Sequence, residues 1–146
     1  MRKISYVFLL FSFILIGCSQ GVKLESYDNS DLKEELEAEG ISPKLPSKFP
    51  ISIIEFERHI PSHESYIYEV SFIGEDGEEF ALTISSAPVE YNGFEKEEVT
   101  IDGNSDFYTA SELFGTSIHW TEDDYHYILL SKVSKEMTIE IAESFR

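Results

Sequence analysis

A short apolar run that ends at the only cysteine decides which part of this chain can form a folded domain. Residues 4–16 are mainly apolar, follow the basic start Met1-Arg2-Lys3, and give way to Gly17 and Cys18. This order of a basic segment, an apolar segment and a small residue is typical of a secretory signal. A membrane-spanning helix needs about 20 apolar residues, which is more than this run contains. We therefore expect the folded part to begin after residue 17, with no second cysteine to form a disulfide bond.

The residues around Cys18 also indicate how the chain is held. Leu15-Ile16-Gly17-Cys18 resembles the bacterial lipobox, a branched aliphatic residue and a small residue followed by cysteine. In lipobox proteins the thiol receives a diacylglyceryl group carrying long acyl chains such as palmitate, and the chain is cut before the cysteine. The resemblance implies that residues 1–17 are a lipoprotein signal peptide and that lipidated Cys18 anchors the protein on the extracytoplasmic face of the cell membrane. The alternative is an ordinary signal peptide with an incidental cysteine.

The charge balance excludes some partners. The chain has 28 acidic and 11 basic residues, a net charge of −17, and loses two basic residues and no acidic residue with segment 1–17. Such a surface is repelled by phosphates and by anionic lipid headgroups. We therefore expect no nucleic-acid partner, and attachment to the membrane through the lipid alone. An envelope protein or a hydrophobic ligand remains as a partner, and we expect a monomer without a cofactor.

The residues after Cys18 predict a tether and one α+β domain. Residues 18–29 are polar and without period, so we interpret them as a lipidated tether. Residues 30–146 suffice for a single core. Period-two runs of aromatic and β-branched residues predict an antiparallel sheet, flat or curved, of about six or seven strands. The expected strands are 51–58, 66–73, 80–84, 95–101, 106–110, 117–121 and 125–131.

Two amphipathic segments predict a short N-terminal helix and a C-terminal helix packed on one sheet face. Ser30 is expected to cap the first helix, 31–39, in which Leu32 and Leu36 form one apolar stripe before Gly40 ends it. Ser134 is expected to cap the second helix, 135–145. Its apolar face is formed by Met137, Ile139, Ile141, Ala142 and Phe145.

The last two strands are joined across Glu122-Asp123-Asp124, and the loop length decides their register. A loop of two or four residues places Ile118 and Trp120 on one face with Tyr127 and Leu129, where cross-strand pairs stabilise a sheet. A three-residue loop would shift the register by one residue and separate these side chains.

The C-terminal part carries motifs of a known family. A tryptophan strand, a tyrosine-rich strand and a capped helix appear as Trp120, Tyr125-His126-Tyr127-Ile128-Leu129, Ser134-Lys135-Glu136-Met137 and Ile141-Ala142-Glu143-Ser144. Upstream motifs are Leu45-Pro46, Phe49-Pro50, Ile101-Asp102-Gly103 and Phe107-Tyr108. Over 45–146 the chain resembles a domain of unknown function found in Gram-positive envelope lipoproteins and in extracytoplasmic parts of anti-sigma factors. The resemblance implies a fold and a compartment but no catalytic residue. Asp123-Asp124 stands where that family usually has a glycine.

The motifs weighed for catalysis and calcium binding fail on their spacing. Ser30 and Lys33 fit Ser-x-x-Lys, but no Lys-Thr-Gly accompanies them, and a helix cap explains Ser30 better. Segment 102–106 begins like a calcium loop, but Phe107 and Leu113 stand where glycine and a bidentate glutamate are needed. We therefore expect a hairpin turn at 102–104 and a protein that is not an enzyme, with weak calcium binding left open.

The histidines supply one weak candidate metal site. His119 and His126 fall on one face of the last hairpin, near Asp123, and two imidazoles with a carboxylate suit zinc or copper. Exposed strand residues are the favoured interpretation, so we expect no metal. His59 and His63 are separated by Pro61, which excludes a helical pair.

The expected function is binding, sensing or regulation in the cell envelope without catalysis. The alternative is a carrier that holds a lipid or other hydrophobic ligand between the sheet and the C-terminal helix. Trp120, Tyr127 and Phe145 would line such a site or, if the space is filled, form the core there. The shape of that space separates the two functions.

Overall fold

The computed structural model describes residues 23–59, 66–87, 89, 95–111 and 115–146. The signal segment, Cys18 and the turn predicted at 61–64 lie outside the described residues. The described chain forms a seven-stranded antiparallel sheet, a separate pair of short strands and two helices. This confirms the predicted α+β class.

The seven predicted strands all lie in the large sheet. The strands are β1 (Glu25–Ser26), β2 (Lys48–Phe49), β3 (Ile53–His59), β4 (Ile67–Gly74), β5 (Glu79–Ser85), β6 (Glu97–Ile101), β7 (Asn104–Ser111), β8 (Gly115–Glu122) and β9 (Tyr125–Ser131). The helices are α1 (Ser30–Ala38) and α2 (Lys135–Ala142). β1 pairs with β2, and the large sheet has the order β3-β4-β5-β9-β8-β7-β6.

Two runs of hairpins build this sheet. β3, β4 and β5 are consecutive neighbours, as are β6 to β9, and the two runs join where β5 pairs with β9. The β6–β7 turn has positive φ at both Asp102 and Gly103, 47° and 85°, as a two-residue type I′ hairpin requires. The β8–β9 turn also has two central residues, because Glu122 is paired with Tyr125. Trp120 consequently faces Tyr127, as the two-residue loop predicts.

One face of the sheet is apolar and covered. Its side chains come from alternate strand positions and are at most 7% exposed: Tyr68, Val70, Phe72, Phe80, Leu82, Ile84, Ile118, Trp120, Tyr127 and Leu129. Both helices and segment 41–50 contribute to the same core through Leu32, Leu36, Leu45, Phe49, Ile141, Ala142 and Phe145. The other face, which we call the open face, carries the intervening residues, such as Thr83 and Ile128.

The first helix begins one residue earlier than the sequence predicts. Ser30 is its first residue, Asn29 is the N-cap, and the Asn29 side chain does not cap the helix. The Asp28 carboxylate accepts a hydrogen bond from the Ser30 N–H at 3.1 Å. The Asn29 amide instead donates to the carbonyl oxygens of Leu45 and Pro46, at 3.4 and 3.0 Å. The expectation that Ser30 caps the helix is therefore wrong. Asn29 occupies the N-cap position, and its side chain is hydrogen-bonded to the proline-rich segment. Leu32 and Leu36 are fully buried, as predicted.

The second helix has the predicted cap and a different buried face. The Ser134 hydroxyl accepts a hydrogen bond from the Met137 N–H at 3.2 Å. The helix ends at Ala142, and Thr138 is fully buried while Met137 is only half-buried. Thr138 is tolerated there because its hydroxyl donates to the Ser134 carbonyl oxygen at 2.9 Å and lies 2.8 Å from the Ser131 hydroxyl.

The folded part starts before residue 30. β1 pairs with β2 through Glu25 and Phe49. The Tyr27 ring packs edge-on against Phe49 and Phe72, with ring centroids 5.5 Å apart in both pairs. Residues 25–29 therefore belong to the domain, and the tether predicted at 18–29 is too long.

Candidate functional site

The β8–β9 pairing places two histidines on the open face. His119 is paired with Ile128, and His126 with Thr121, so the two imidazoles are diagonal neighbours. Trp120, between His119 and Thr121, points to the covered face because side chains alternate along a strand. The hairpin therefore separates a polar surface from the core behind it.

A cleft of about 490 Å³ lies at this position. Its polar lining residues are Lys96, Glu98, Asp106, His119, Thr121 and His126, and apolar surface comes from Val89, Trp120, Tyr127 and Ile128. The lining thus combines carboxylates, an ammonium group, imidazoles and a hydroxyl on one concave surface. Concave sites with a few polar groups are where small molecules usually bind.

His119 is the more buried of the two cleft histidines, with 6% of its surface exposed. The interpretation of both histidines as exposed strand residues is therefore wrong for His119. Its Nε2 lies 2.8 Å from the Ser117 hydroxyl, which is 2.7 Å from the Thr109 hydroxyl. Burial lowers the pKa of His119 to about 4, and the positive charge of Lys96 acts in the same direction. The imidazole is therefore neutral at pH 7.

The Ser117–His119 contact has the residue types of a nucleophile and its base. A general base works best when its pKa is close to the operating pH. His119, with a pKa of about 4, binds the serine proton weakly. The Ser117 hydroxyl is also within hydrogen-bonding distance of Thr109. These properties favour a structural or ligand-contacting role for the pair.

The carboxylate of Asp106 is only partly hydrogen-bonded in the cleft. The Thr121 N–H donates to its carboxylate, but Oδ2 is buried and has no hydrogen-bond partner among the described residues. Burial raises the pKa of Asp106, and the negative charge of Glu122 acts in the same direction. A buried polar atom without a partner costs about 1–3 kcal/mol. A ligand that donated a hydrogen bond to Oδ2 would remove that cost.

The residues weighed as metal ligands are only partly brought together. His119 and His126 both line the cleft, whereas Asp123 lies in the β8–β9 turn and is not among the lining residues. His126 Nδ1 is 2.9 Å from the Thr121 hydroxyl. In the described ranges, no group of three or more His, Cys, Asp and Glu side chains is placed to hold a metal ion.

The space between the sheet and α2 is filled by the three aromatic residues considered for a hydrophobic ligand. Trp120 stacks on Tyr127, with ring centroids 5.0 Å apart and planes 12° apart, and Phe145 packs edge-on against both rings. All three are at most 5% exposed. The Tyr127 hydroxyl accepts a hydrogen bond from the Lys44 N–H at 3.0 Å, and burial raises the pKa of this phenol. These contacts support a core role for the three rings.

Sequence reasoning considered Asp106 only as part of the calcium-loop pattern at 102–106 and missed its place in the cleft, although its position carries a signal. Asp106 is paired with Val99, a buried residue of β6. Strand alternation therefore puts a carboxylate at a position where an apolar side chain is expected. The missing information is the order of the strands, because only the β7–β8 pairing brings Asp106 next to Thr121.

Residues 42–145 match the family model of a domain of unknown function, DUF4367. The chain belongs to this family. The DUF4367 match contains the whole seven-stranded sheet and α2, whereas β1 and α1 precede it. No curated protein and no solved structure matches the chain.

The DUF4367 match confirms the domain that the C-terminal motifs indicated. The cleft residues from Val89 to Ile128 all lie within the matched part. Within the described part of the chain, neither helix is long and apolar enough to cross a membrane.

Proposed function

We propose that this protein is a lipid-anchored extracytoplasmic lipoprotein whose DUF4367 domain is a binding or sensing module without catalytic activity. The anchor is Cys18, and the binding site is the cleft lined by Asp106, His119 and His126. The observation that carries the binding role is the buried Oδ2 of Asp106, which has no hydrogen-bond partner among the residues that the structure describes.

The position of the first strand supports a function at the membrane surface. Six residues, 19–24, lie between Cys18 and Glu25, where β1 begins. Even a fully extended segment of this length spans only about 25 Å. Anionic headgroups repel an acidic domain, so the acyl chains have to hold it. We infer that the domain stays close to the bilayer and meets ligands or partners of the envelope.

The cleft chemistry supports a ligand with a hydrogen-bond donor. A donor reaching Asp106 would satisfy Oδ2 and would also stabilise the ionised carboxylate against burial. A cationic donor, such as an ammonium or guanidinium group, is further attracted by the net charge of −17. The weakly basic His119 supports binding rather than acid–base catalysis.

The anchor is tested by replacing its one thiol. Cells expressing the full chain with Cys18→Ala should lose incorporation of a labelled palmitate analogue and partition into the aqueous phase of a detergent extraction. Ser19→Ala, next to the processing site, should keep both properties. Undiminished labelling of the Cys18→Ala chain would reject the anchor.

The cleft is tested with arginine amide as the probe, using the full chain in detergent micelles. We expect residue-resolved NMR shifts at Thr121 and His126 on titration, and loss of those shifts in Asp106→Asn. Glu140→Gln removes a carboxylate on the exposed side of α2 and should leave the shifts intact. Shifts spread over the acidic surface, or unchanged in Asp106→Asn, would contradict the cleft as the binding site.

A further inference from the structure

The outer edge of β3 is a surface separate from the cleft. Within the described part of the chain, β3 is an edge strand of the large sheet and pairs with β4 alone. On its far side, the backbone of 54–59 makes no hydrogen bond to another described residue. Alternate N–H and C=O groups of an antiparallel edge strand point outward. This edge can therefore pair with an added strand.

The space beside this edge is shaped by α1. Two depressions of about 320 and 580 Å³ lie between the strand and the helix and share Asp31 and Phe56. Ile53 and Ile54 add apolar surface to the first, and Ile54 is 62% exposed. An added strand would thus find exposed apolar groups beside unpaired backbone, which is the usual composition of a strand-addition site.

The two depressions between β3 and α1 form a groove that carries only negative charge. Carboxylates from both sides line the two depressions, and none of the lining residues is basic: Asp28, Asp31, Glu34, Glu35 and Glu55. Glu57 lies on the same strand as Glu55, and both are exposed. Arg58 is engaged by Glu35 and Glu39, at 3.1 and 3.3 Å, so its charge is already balanced.

We propose that the β3 edge binds an extended segment of a basic protein, in which Lys or Arg alternates with apolar residues. The partner backbone pairs with β3. Its apolar side chains lie on the α1 side against Phe56, which is paired with the buried Phe72. Its basic side chains lie on the open face beside Glu55 and Glu57, because side chains alternate along a strand. The alternation of apolar and basic residues in the partner therefore matches the apolar and acidic sides of the β3 edge.

The same charges disfavour the other occupant of an exposed edge, a second copy of this chain. Antiparallel pairing of two β3 strands would bring Glu55 and Glu57 next to the same residues of the other copy. Like charges facing each other across two strands are destabilising. The edge is thus selective for a basic partner.

The probe is an eight-residue synthetic peptide of alternating lysine and valine, titrated into the full chain in detergent micelles and followed by NMR. We expect saturable binding with shifts at β3 and the facing residues of α1. The same peptide with glutamate for lysine should not bind. A version N-methylated at alternate residues cannot complete the strand pairing and should also fail. Equal binding of the N-methylated peptide, or no binding of the parent peptide, would overturn the proposal.

Charge-reversed variants locate the contact. Glu55→Lys with Glu57→Lys should weaken binding of the lysine–valine peptide by about tenfold or more. Glu136→Lys with Glu140→Lys makes the same change of net charge on the exposed side of α2 and should have a much smaller effect. If both double variants bound the peptide equally weakly, the interaction would be attraction by the net charge of the protein, and the β3 edge would be rejected as the binding site. Self-association of the unmodified chain through β3 would reject the basic partner.

Discussion

Leu45 and Arg146 exchange two backbone hydrogen bonds. The Leu45 N–H donates to the Arg146 carbonyl oxygen at 3.1 Å, and the Arg146 N–H donates to the Leu45 carbonyl oxygen at 3.0 Å. Ser47 adds a bond from its hydroxyl to the Ser144 carbonyl oxygen at 2.6 Å. The proline-rich segment is thus fixed to the residues that follow α2, so segment 41–50 and the helix cover the core as one unit.

Trp120 should contribute more to stability than any exposed aromatic residue. Truncating a buried large aromatic side chain costs about 3–5 kcal/mol, and a small domain has only about 5–15 kcal/mol of unfolding free energy. We expect Trp120→Ala to bring the full chain in detergent close to unfolding, as measured by chemical denaturation. Tyr66→Ala removes a ring that is 42% exposed and should change the free energy of unfolding little.

An unshifted denaturation curve for Trp120→Ala would contradict the core role of this residue. In that case a hydrophobic dye should be titrated into the same variant. Loss of dye binding with unchanged stability would support the carrier function between the sheet and α2.

Two buried hydroxyl groups, of Ser131 in β9 and Thr138 in α2, lie within hydrogen-bonding distance of each other. Removing one should cost more free energy of unfolding than removing the other. The Thr138 hydroxyl donates to the Ser134 carbonyl oxygen, so within the pair Ser131 is the donor to Thr138. Thr138→Val therefore leaves a buried O–H without an acceptor, at a cost of about 1–3 kcal/mol. Ser131→Ala leaves only an acceptor and should cost less. Urea denaturation of both variants and the double variant measures the difference, and equal costs would contradict the assigned donor direction.

His119 should make the protein less stable at acid pH. Its folded-state pKa of about 4 is below the ordinary histidine value of about 6.5. Between those values the unfolded chain binds the proton and the folded chain does not. The free energy of unfolding therefore falls as the pH is lowered from about 6.5 towards 4, by at most about 3 kcal/mol.

Urea denaturation at pH 7 and pH 4.5 measures this effect, which His119→Asn should reduce. His59→Asn, at an exposed position of β3, should keep the wild-type pH dependence. Asp106 in the same cleft acts in the opposite direction, because its raised pKa makes the folded state lose stability as the pH rises through its titration range. If the His119→Asn chain lost as much free energy of unfolding between pH 7 and pH 4.5 as the wild type, His119 would not be the source of this pH dependence.

The turn at Asp123 should become more stable with glycine. Asp123 has a φ of 53°, in the left-handed region that disfavours residues with a Cβ. Asp123→Gly should raise the free energy of unfolding by about 0.5–1 kcal/mol, after the entropy of the more flexible unfolded chain is subtracted. Asp124 has no positive φ, so Asp124→Gly should be destabilising in the same thermal melts. Stabilisation by both substitutions, or by neither, would contradict this account of the turn.

Local patterns were sufficient to predict the seven strands of the large sheet, and long-range packing was needed for the rest. The alternation of Phe80, Leu82 and Ile84 predicts a half-buried strand because a sheet face has period two, and these three residues are fully or almost fully buried. Ser30 was misassigned as a cap because the competing bond of Asn29 goes to Leu45 and Pro46, which no local rule locates.

The candidate site was less predictable than the fold. His119 and His126 lie on adjacent strands, and hairpin parity was enough to place them on one face. Asp106 and Lys96 come from other strands and segments, and their position in the cleft depends on the order β9-β8-β7-β6. A sequence pattern fixes which side of a strand a residue occupies, but strand neighbours across a sheet are set by the packing of the whole core.

The central position of β9 has a consequence for the time course of folding. β9 follows every other described strand in the chain, and it alone joins the β3–β5 run to the β6–β8 run. Until β9 has been synthesised, the two runs are separate meanders, each with an uncovered apolar face and an unpaired inner edge. Non-local pairing of this kind is slow to form and leaves incomplete chains prone to aggregation. A growing chain can therefore complete this sheet only after β9, which ends at Ser131, has been made.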